Sequence, residues 1–273
     1  MPDYSAADGT RLHYSDDGTG LPVLCLAGLT RNGADFDHVA PHLKGTRLIR
    51  LDYRGRGKSD WADPATYTIP QEAQDVLGLL DHLGLKRVAI LGTSRGGLIA
   101  MTLAAIAQER LLGVALNDIG PVIESKGLSI ISGYVGQRPK EKTYEEAARN
   151  RANLWTHFAD VPHQRWLAEV QAHYVETDDG LDLRYDPRLA EIFKNGGAQP
   201  VPDLWPLFDG FEGLPLALIR GANSDLLSKD TADEMSRRRP DMIRADIPDR
   251  GHVPFLDEPA AVAALTQWLE AMQ

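Results

Sequence analysis

Residues 90–98 read ILGTSRGGL, and the segment from Gly92 to Gly96 fits the pattern G-x-S-x-G. The apolar run VAIL precedes this pattern, and a long segment with helical spacing of apolar residues follows it. A serine at such a strand-to-helix turn exposes its hydroxyl above the sheet, and glycines beside it relieve backbone collisions. This setting predicts that Ser94 is a nucleophile. A serine that only caps the helix is the alternative.

The surrounding sequence alternates between strand-like and helical segments. Short apolar runs separated by helical segments indicate a parallel sheet that is covered on both faces by helices. The predicted strands are residues 10–18, 21–28, 46–53, 87–92, 111–120, 214–222 and 242–249. The predicted helices are residues 33–43, 69–85, 96–110, 229–239 and 258–273.

Residues 121–213 differ from the rest of the chain, because helical segments follow one another there without a convincing strand. These predicted helices are residues 144–155, 161–175 and 187–196. This third of the chain contains 11 of the 19 aromatic residues. Most of them are expected to pack a helical layer onto the core, and a minority to line an apolar substrate pocket. The residues predicted for that pocket are Trp155, Phe158, Trp205 and Phe208.

A serine hydroxyl needs a base to take its proton, and a histidine oriented by a carboxylate is the usual arrangement. His252 is the best candidate, since it follows Gly251 in a loop between the last predicted strand and the last helix. His38 and His42 have the spacing of metal ligands on a helix, but Pro41 lies between them and no third ligand is near. No metal site is predicted.

Two aspartates are candidates for the carboxylate that orients His252. Asp225 follows a predicted apolar strand in a turn rich in small polar residues, and Asp118 ends the strand before it. Both would stand at the carboxyl edge of the sheet. We predict Asp225, with Asp118 as the rival. The order Ser94, Asp225, His252 is then nucleophile, acid, base.

Taken together, these motifs and their order resemble those of the α/β-hydrolases over nearly the whole chain. The resemblance implies an α/β fold with a mostly parallel eight-stranded sheet, helices on both faces and an inserted helical cap. The core would comprise residues 1–120 and 214–273, and the cap residues 121–213. Ser94, Asp225 and His252 would form the triad, and the backbone amides of Leu29 and Arg95 the oxyanion hole.

Three positions of the sequence narrow what the resemblance implies. Many relatives have His-Gly where this chain has Ala27 and Gly28, and that histidine commonly braces the oxyanion loop. Relatives that open haloalkanes or epoxides carry aspartate at the nucleophile position, so Ser94 argues against these activities. The Arg95 side chain has two interpretations: an ion pair with Asp118, or recognition of a carboxylate on the substrate.

Composition excludes several classes of function. A formal net charge of −10 disfavours nucleic-acid binding, since phosphate neutralisation requires clustered basic residues. The sequence begins without a leader-like segment and has no window apolar enough to span a membrane, which predicts a soluble, cytoplasmic protein. Cys25 is the single cysteine, in an apolar run that predicts a buried strand residue.

The sequence therefore predicts a cofactor-independent serine hydrolase that cleaves a small-molecule carboxylic ester of short or medium acyl chain. Carbon–carbon bond hydrolysis, lactone opening, and acyl transfer to peroxide or an alcohol use the same machinery and stay open. A ligand-binding protein on a hydrolase scaffold is the alternative of a different class. The oligomeric state is open as well.

Overall fold

The computed structural model describes residues 2–196 and 203–273, so residues 197–202 of the predicted cap lie outside the described part of the chain. The strands are β1 (Asp3–Ser5), β2 (Arg11–Gly18), β3 (Leu21–Leu26), β4 (Thr46–Leu51), β5 (Val88–Thr93), β6 (Leu111–Asn117), β7 (Tyr174–Thr177), β8 (Gly180–Leu183), β9 (Leu216–Gly221) and β10 (Ile243–Ile247). The helices are α1 (Ile69–His82), α2 (Arg95–Ala107), α3 (Ser125–Tyr134), α4 (Tyr144–Leu154), α5 (His163–His173), α6 (Glu191–Gly196), α7 (Trp205–Asp209), α8 (Lys229–Arg238) and α9 (Pro259–Glu270).

Eight strands form one sheet in the order β1-β2-β4-β3-β5-β6-β9-β10. β2 runs antiparallel to both of its neighbours, and every pairing from β4 to β10 is parallel. The predicted fold class is therefore confirmed. The crossovers return each strand in the same direction, so the carboxyl ends of β3, β5, β6, β9 and β10 meet at one edge of the sheet.

Alternate side chains of each central strand enter different hydrophobic layers. Leu24 and Leu26 of β3 pack with α1 and α2 on one face. Val23 and Cys25 pack on the other face, together with α9. Burial raises the pKa of the Cys25 thiol to about 12, as expected of a packed strand residue without nucleophilic character. The period-2 alternation thus explains why the sheet is covered on both sides.

Two predictions about the first 43 residues need correction. The sheet begins with β1, which is only three residues long and has too little sequence to show a strand pattern. The helix predicted over residues 33–43 is instead two short 3₁₀ turns, Gly33–Phe36 and Ala40–His42. Pro41 explains the interruption, because it has no N–H for a helical hydrogen bond and restricts the residue before it.

Residues 121–213, the predicted cap, are not wholly helical in their described part. Helices α3 to α7 come from this segment, but β7 and β8 form an antiparallel hairpin between α5 and α6. The helix predicted over residues 161–175 ends at His173, where β7 begins. Each strand has four residues, which is too short for a clear alternation, and the turn between them consists of Asp178 and Asp179. Within the described residues, no helix is long and apolar enough to cross a membrane.

Gly96 sets how closely α2 approaches β3. A Cβ on Gly96 would lie 2.1 Å from the backbone oxygen of Leu26, and backbone atoms cannot move aside as a flexible side chain does. We expect Gly96→Ala to lower the free energy of unfolding by about 3 kcal/mol or more, measured by denaturant titration. Gly133→Ala is the matched control in α3, where a Cβ meets nothing within 4 Å; it should be neutral or stabilise by about 0.5–1 kcal/mol. Equal stability of both variants would contradict this description of the turn.

Candidate active site

Ser94 occupies a sharp turn between two elements. β5 ends at Thr93 and α2 begins at Arg95, and Ser94 between them has φ 51° and ψ −113°. A positive φ is strained for a residue with a side chain, typically by about 1–3 kcal/mol, and such strain is concentrated at functional sites. A Cβ on Gly92 would lie 2.7 Å from the backbone of Gly96, so the turn can close only with glycine there. This conformation places the serine at the carboxyl edge of the sheet, as predicted from the pattern.

His252 lies between Ser94 and a buried carboxylate. Its Nε2 is 3.0 Å from Ser94 Oγ, and its Nδ1 is 2.8 Å from Asp118 Oδ2. Asp118 directly follows β6 and has no exposed surface. Its Oδ1 accepts the Gly221 N–H at 2.8 Å, and its Oδ2 accepts the Ser224 hydroxyl at 2.6 Å. These donors fix the carboxylate, so the histidine ring is held where it can take a proton from Ser94.

The prediction that Asp225 is the partner of His252 is wrong. Asp118, the rival, holds that position, and Asp225 lies in the wall of the cavity that contains Ser94 and His252. β6 and β9 are adjacent, so both aspartates stand at the same edge of the sheet. The turn after β9 directs the hydroxyl of Ser224, one residue before Asp225, to Asp118. The conformation of this turn therefore decides which aspartate contacts His252, and the spacing of residues in the sequence does not reveal it.

The loop after β3, from which the predicted oxyanion donor Leu29 comes, passes close to Ser94. A Cβ on Gly28 would lie 3.9 Å from Ser94 Cβ, and Leu29 lines the same cavity as Ser94. Two side chains hold this loop from behind: Tyr53 donates its hydroxyl to the Ala27 carbonyl at 3.0 Å, and Arg56 donates Nε–H to the Leu29 carbonyl at 3.0 Å. These contacts hold the loop in a chain that lacks the bracing histidine of many relatives.

Both interpretations of the Arg95 side chain are wrong. Its Nε lies 2.6 Å from the Glu72 carboxylate, and its Nη2 donates to the Tyr67 carbonyl at 3.0 Å, so it faces α1 and neither Asp118 nor the cavity. The second oxygen of Glu72 lies 3.0 Å from Nη1 of Arg56. Burial lowers the pKa of the Arg56 guanidinium, and the adjacent Glu72 opposes this effect. Glu72 thus forms ion pairs with both Arg95, the residue after Ser94, and Arg56, whose side chain holds the Leu29 carbonyl.

The cavity at Ser94 has a volume of about 210 Å³ and lies between the sheet edge and residues of the predicted cap. Trp155 and Phe158 line it, as predicted. Sequence reasoning missed the apolar wall contributed by α3 and α4 and the charged residue beside the serine. These further lining residues include Ile130, Ile131, Tyr134, Leu154 and Arg31. A helical period in α3 could have indicated the two isoleucines, but it could not have indicated which side faces the serine.

The other two predicted pocket residues lie elsewhere. Phe208 has no exposed surface and packs in the core layer that α2 also contacts. Trp205 packs edge-on against Phe208 with ring centroids 5.7 Å apart, and the guanidinium of Arg238 stacks over its ring at 4.0 Å. Both therefore anchor α7 to the core and line no part of the cavity at Ser94. Within residues 2–196 and 203–273, no group of three or more histidine, cysteine or acidic side chains is arranged to hold a metal ion.

A model of the alpha/beta hydrolase family matches residues 23–265. The chain belongs to the alpha/beta hydrolase family. This alpha/beta hydrolase superimposes on the crystal structure of an alpha/beta hydrolase from Novosphingobium aromaticivorans with a TM-score of 0.92 and 40% identity, covering 98% of this chain and 97% of the other. The resemblance inferred from the motifs is therefore confirmed.

The relatives with named activities include two hydrolases that align over almost the whole chain. A 3-hydroxybutyrate-oligomer hydrolase of Cupriavidus necator is 35% identical over 265 residues, which cover 93% of this alpha/beta hydrolase and 90% of the relative. A 2-(acetamidomethylene)succinate hydrolase of Mesorhizobium japonicum is 25% identical over 263 residues, with coverages of 95% and 92%. Both of these relatives are named as hydrolases, and their named substrates differ.

The two ion pairs of the buried Glu72 carboxylate should stabilise the fold. Glu72→Gln leaves the two guanidinium groups of Arg56 and Arg95 buried without a counter-charge, which should lower the free energy of unfolding by about 3–5 kcal/mol. Chemical denaturation measures this loss. Glu270→Gln, at an exposed position of α9, is the matched control and should change stability by less than about 0.5 kcal/mol. A Glu72→Gln protein as stable as the control variant would show that the buried ion pairs do not contribute.

Proposed function

We propose that this alpha/beta hydrolase is a serine esterase that cleaves a carboxylic ester through an acyl-enzyme intermediate. The observation that carries the proposal is the continuous contact from Ser94 Oγ through His252 to the buried Asp118, with distances of 3.0 Å and 2.8 Å. These separations are within hydrogen-bond reach, which proton transfer between nucleophile and base requires.

The reaction follows from this arrangement in two halves. Ser94 Oγ attacks the ester carbonyl while His252 takes the hydroxyl proton, and Asp118 orients the ring and stabilises the imidazolium that forms. His252 then gives the proton to the leaving alcohol. A water molecule, deprotonated by His252, attacks the acyl group, and the carboxylic acid leaves as Ser94 recovers its proton. The amides of Leu29 and Arg95 donate to the oxyanion in both halves.

The proposed substrate is an ester of a short hydroxy acid. The cavity at Ser94, with about 210 Å³, is smaller than the pockets that hold drug-sized ligands, which favours a short acyl group. Its wall is largely apolar, with Trp155, Phe158 and the two isoleucines of α3. The 3-hydroxybutyrate-oligomer hydrolase that aligns over 93% of the chain supports the same substrate class.

Turnover of p-nitrophenyl butyrate and of the 3-hydroxybutyrate dimer by the wild type and Ser94→Ala tests the proposal. The wild type should hydrolyse both, and Ser94→Ala should lose activity by about a million-fold, because its base has no nucleophile to activate. Labelling with a fluorophosphonate, located by mass spectrometry, should modify Ser94 alone. A lactone, a diketone and hydrogen peroxide as acyl acceptor complete the panel. If the wild type acts only on these, or if Ser94→Ala hydrolyses esters at the wild-type rate, the esterase assignment fails.

A matched pair of variants tests the choice of carboxylate. We expect Asp118→Asn to lower kcat by about 10⁴-fold, because the amide favours the wrong tautomer of His252. Asp225→Asn removes a charge from the same cavity without touching His252, so its kcat should fall by less than about tenfold. Steady-state kinetics on p-nitrophenyl butyrate measures both. A larger loss of kcat in Asp225→Asn than in Asp118→Asn would instead identify Asp225 as the carboxylate that orients His252.

A further inference from the structure

The cavity at Ser94 leads towards a second and larger cavity of about 370 Å³ between the oxyanion loop and the cap. The two cavities share part of their walls. The shared residues are Thr30, Arg31, Ile130, Tyr134, Leu154 and Trp155. A ligand whose reactive group lies at Ser94 can therefore extend along these residues into the second cavity.

Arg31 lines both cavities. Its stem packs against Gly28, which also neighbours Ser94: a Cβ on Gly28 would lie 3.6 Å from Arg31 Cδ and 3.9 Å from Ser94 Cβ. Its Nη1 lies 3.2 Å from Glu169 and 3.4 Å from Asp35. Burial alone would lower the pKa of Arg31, but these two carboxylates outweigh it and raise the pKa. Arg31 is thus a cation whose charge is already balanced by the protein.

Arg151 of α4 lines the second cavity, and its direct side-chain contacts are with uncharged rings. Its Nη1 lies 2.7 Å from Nδ1 of His173, and its guanidinium stacks 5.2 Å from the Trp155 ring centroid and 5.3 Å from that of Tyr174. Among the residues that the structure describes, no carboxylate forms an ion pair with it. Burial, reinforced by the cations Arg31 and Arg151, holds the pKa of His173 well below its usual range.

The neutral state of His173 matters for the charge in this cavity. Its Nε2 lies 2.8 Å from Asp35 and 2.9 Å from Nη1 of Arg31, and its Nδ1 lies 2.7 Å from Nη1 of Arg151, so the uncharged ring stands between the two arginines. The histidine therefore positions the Arg151 guanidinium without neutralising it. Glu141 is the acidic residue in the wall of the second cavity, and its carboxylate accepts a hydrogen bond from Asn150. A half-buried guanidinium that lacks a carboxylate is the typical partner of an anionic ligand group.

We propose that Arg151 binds the free carboxylate of the substrate while the ester bond lies at Ser94. This inference rests on the proposed esterase function and narrows it to esters that carry a carboxylate, such as short linear oligomers of a hydroxy acid. Each cavity has one acidic residue in its wall, Asp225 at Ser94 and Glu141 in the second cavity, but Arg151 lines the second cavity alone, so an anionic end is attracted there. Arg151 of the predicted cap, and not Arg95, is then the arginine that recognises the substrate carboxylate.

The test compares a charged substrate with its neutral isostere. The probes are the 3-hydroxybutyrate dimer and the same dimer with its terminal carboxylate replaced by a carboxamide. We expect Arg151→Gln to raise KM for the carboxylate dimer by about 10- to 100-fold, since a hydrogen bond to a charged group is lost, and to leave KM for the carboxamide dimer within about threefold. Arg151→Lys keeps the charge and should recover part of the loss. Arg149→Gln, an exposed arginine of the same helix, is the control and should match the wild type on both dimers.

Two further readouts separate this proposal from the proposed function. Hydrolysis of p-nitrophenyl butyrate, which has no carboxylate, should be unchanged in Arg151→Gln; its absence in the wild type would count against the esterase assignment. Binding of the carboxylate dimer to Ser94→Ala, measured by calorimetry, should weaken by the same 10- to 100-fold when Arg151→Gln is added. Equal effects of Arg151→Gln on the carboxylate and carboxamide dimers, or unchanged binding in the double variant, would overturn the carboxylate site.

Discussion

The buried carboxylate of Glu72 is the contact on which the geometry of the site depends. It lies between Arg95, which follows the nucleophile, and Arg56, which holds the Leu29 carbonyl. Two guanidinium groups at such burial would destabilise the fold without it, and with it they connect the two loops that supply the predicted oxyanion donors. The separation of those donors is therefore fixed by a side chain of α1 that has no contact with the cavity at Ser94.

The parallel sheet explains why three distant residues meet. Ser94 follows β5, Asp118 follows β6 and His252 follows β10, and the carboxyl ends of these strands share one edge. The sequence was sufficient for this level of description, because apolar strands and helical spacing produce strong, repeated signals. It was also sufficient to place Ser94 and His252 at this edge, since Gly92 and Gly96 lie two residues from the serine and Gly251 directly precedes the histidine.

The sequence was insufficient wherever a single turn or a single rotamer decides the outcome. Asp118 and Asp225 both follow strands that end at this edge, and the conformation of the turn after β9 separates them. The partner of Arg95 is Glu72, 23 residues earlier in the chain, and no spacing rule connects a helix interior to the residue after a nucleophile. Trp205 and Phe208 have the composition of pocket residues but pack against the core, because aromatic content does not report direction.

The central claim is that Ser94, His252 and Asp118 act with the amides of Leu29 and Arg95 on one carbonyl. A crystal structure of the protein phosphonylated at Ser94 tests it most directly, because the phosphonyl oxygen stands in for the oxyanion. The account predicts that this oxygen lies about 2.7–3.1 Å from both amide nitrogens, while Nδ1 of His252 keeps its contact with Asp118. An oxygen directed away from Leu29 and Arg95, or a His252 paired with Asp225, would contradict it.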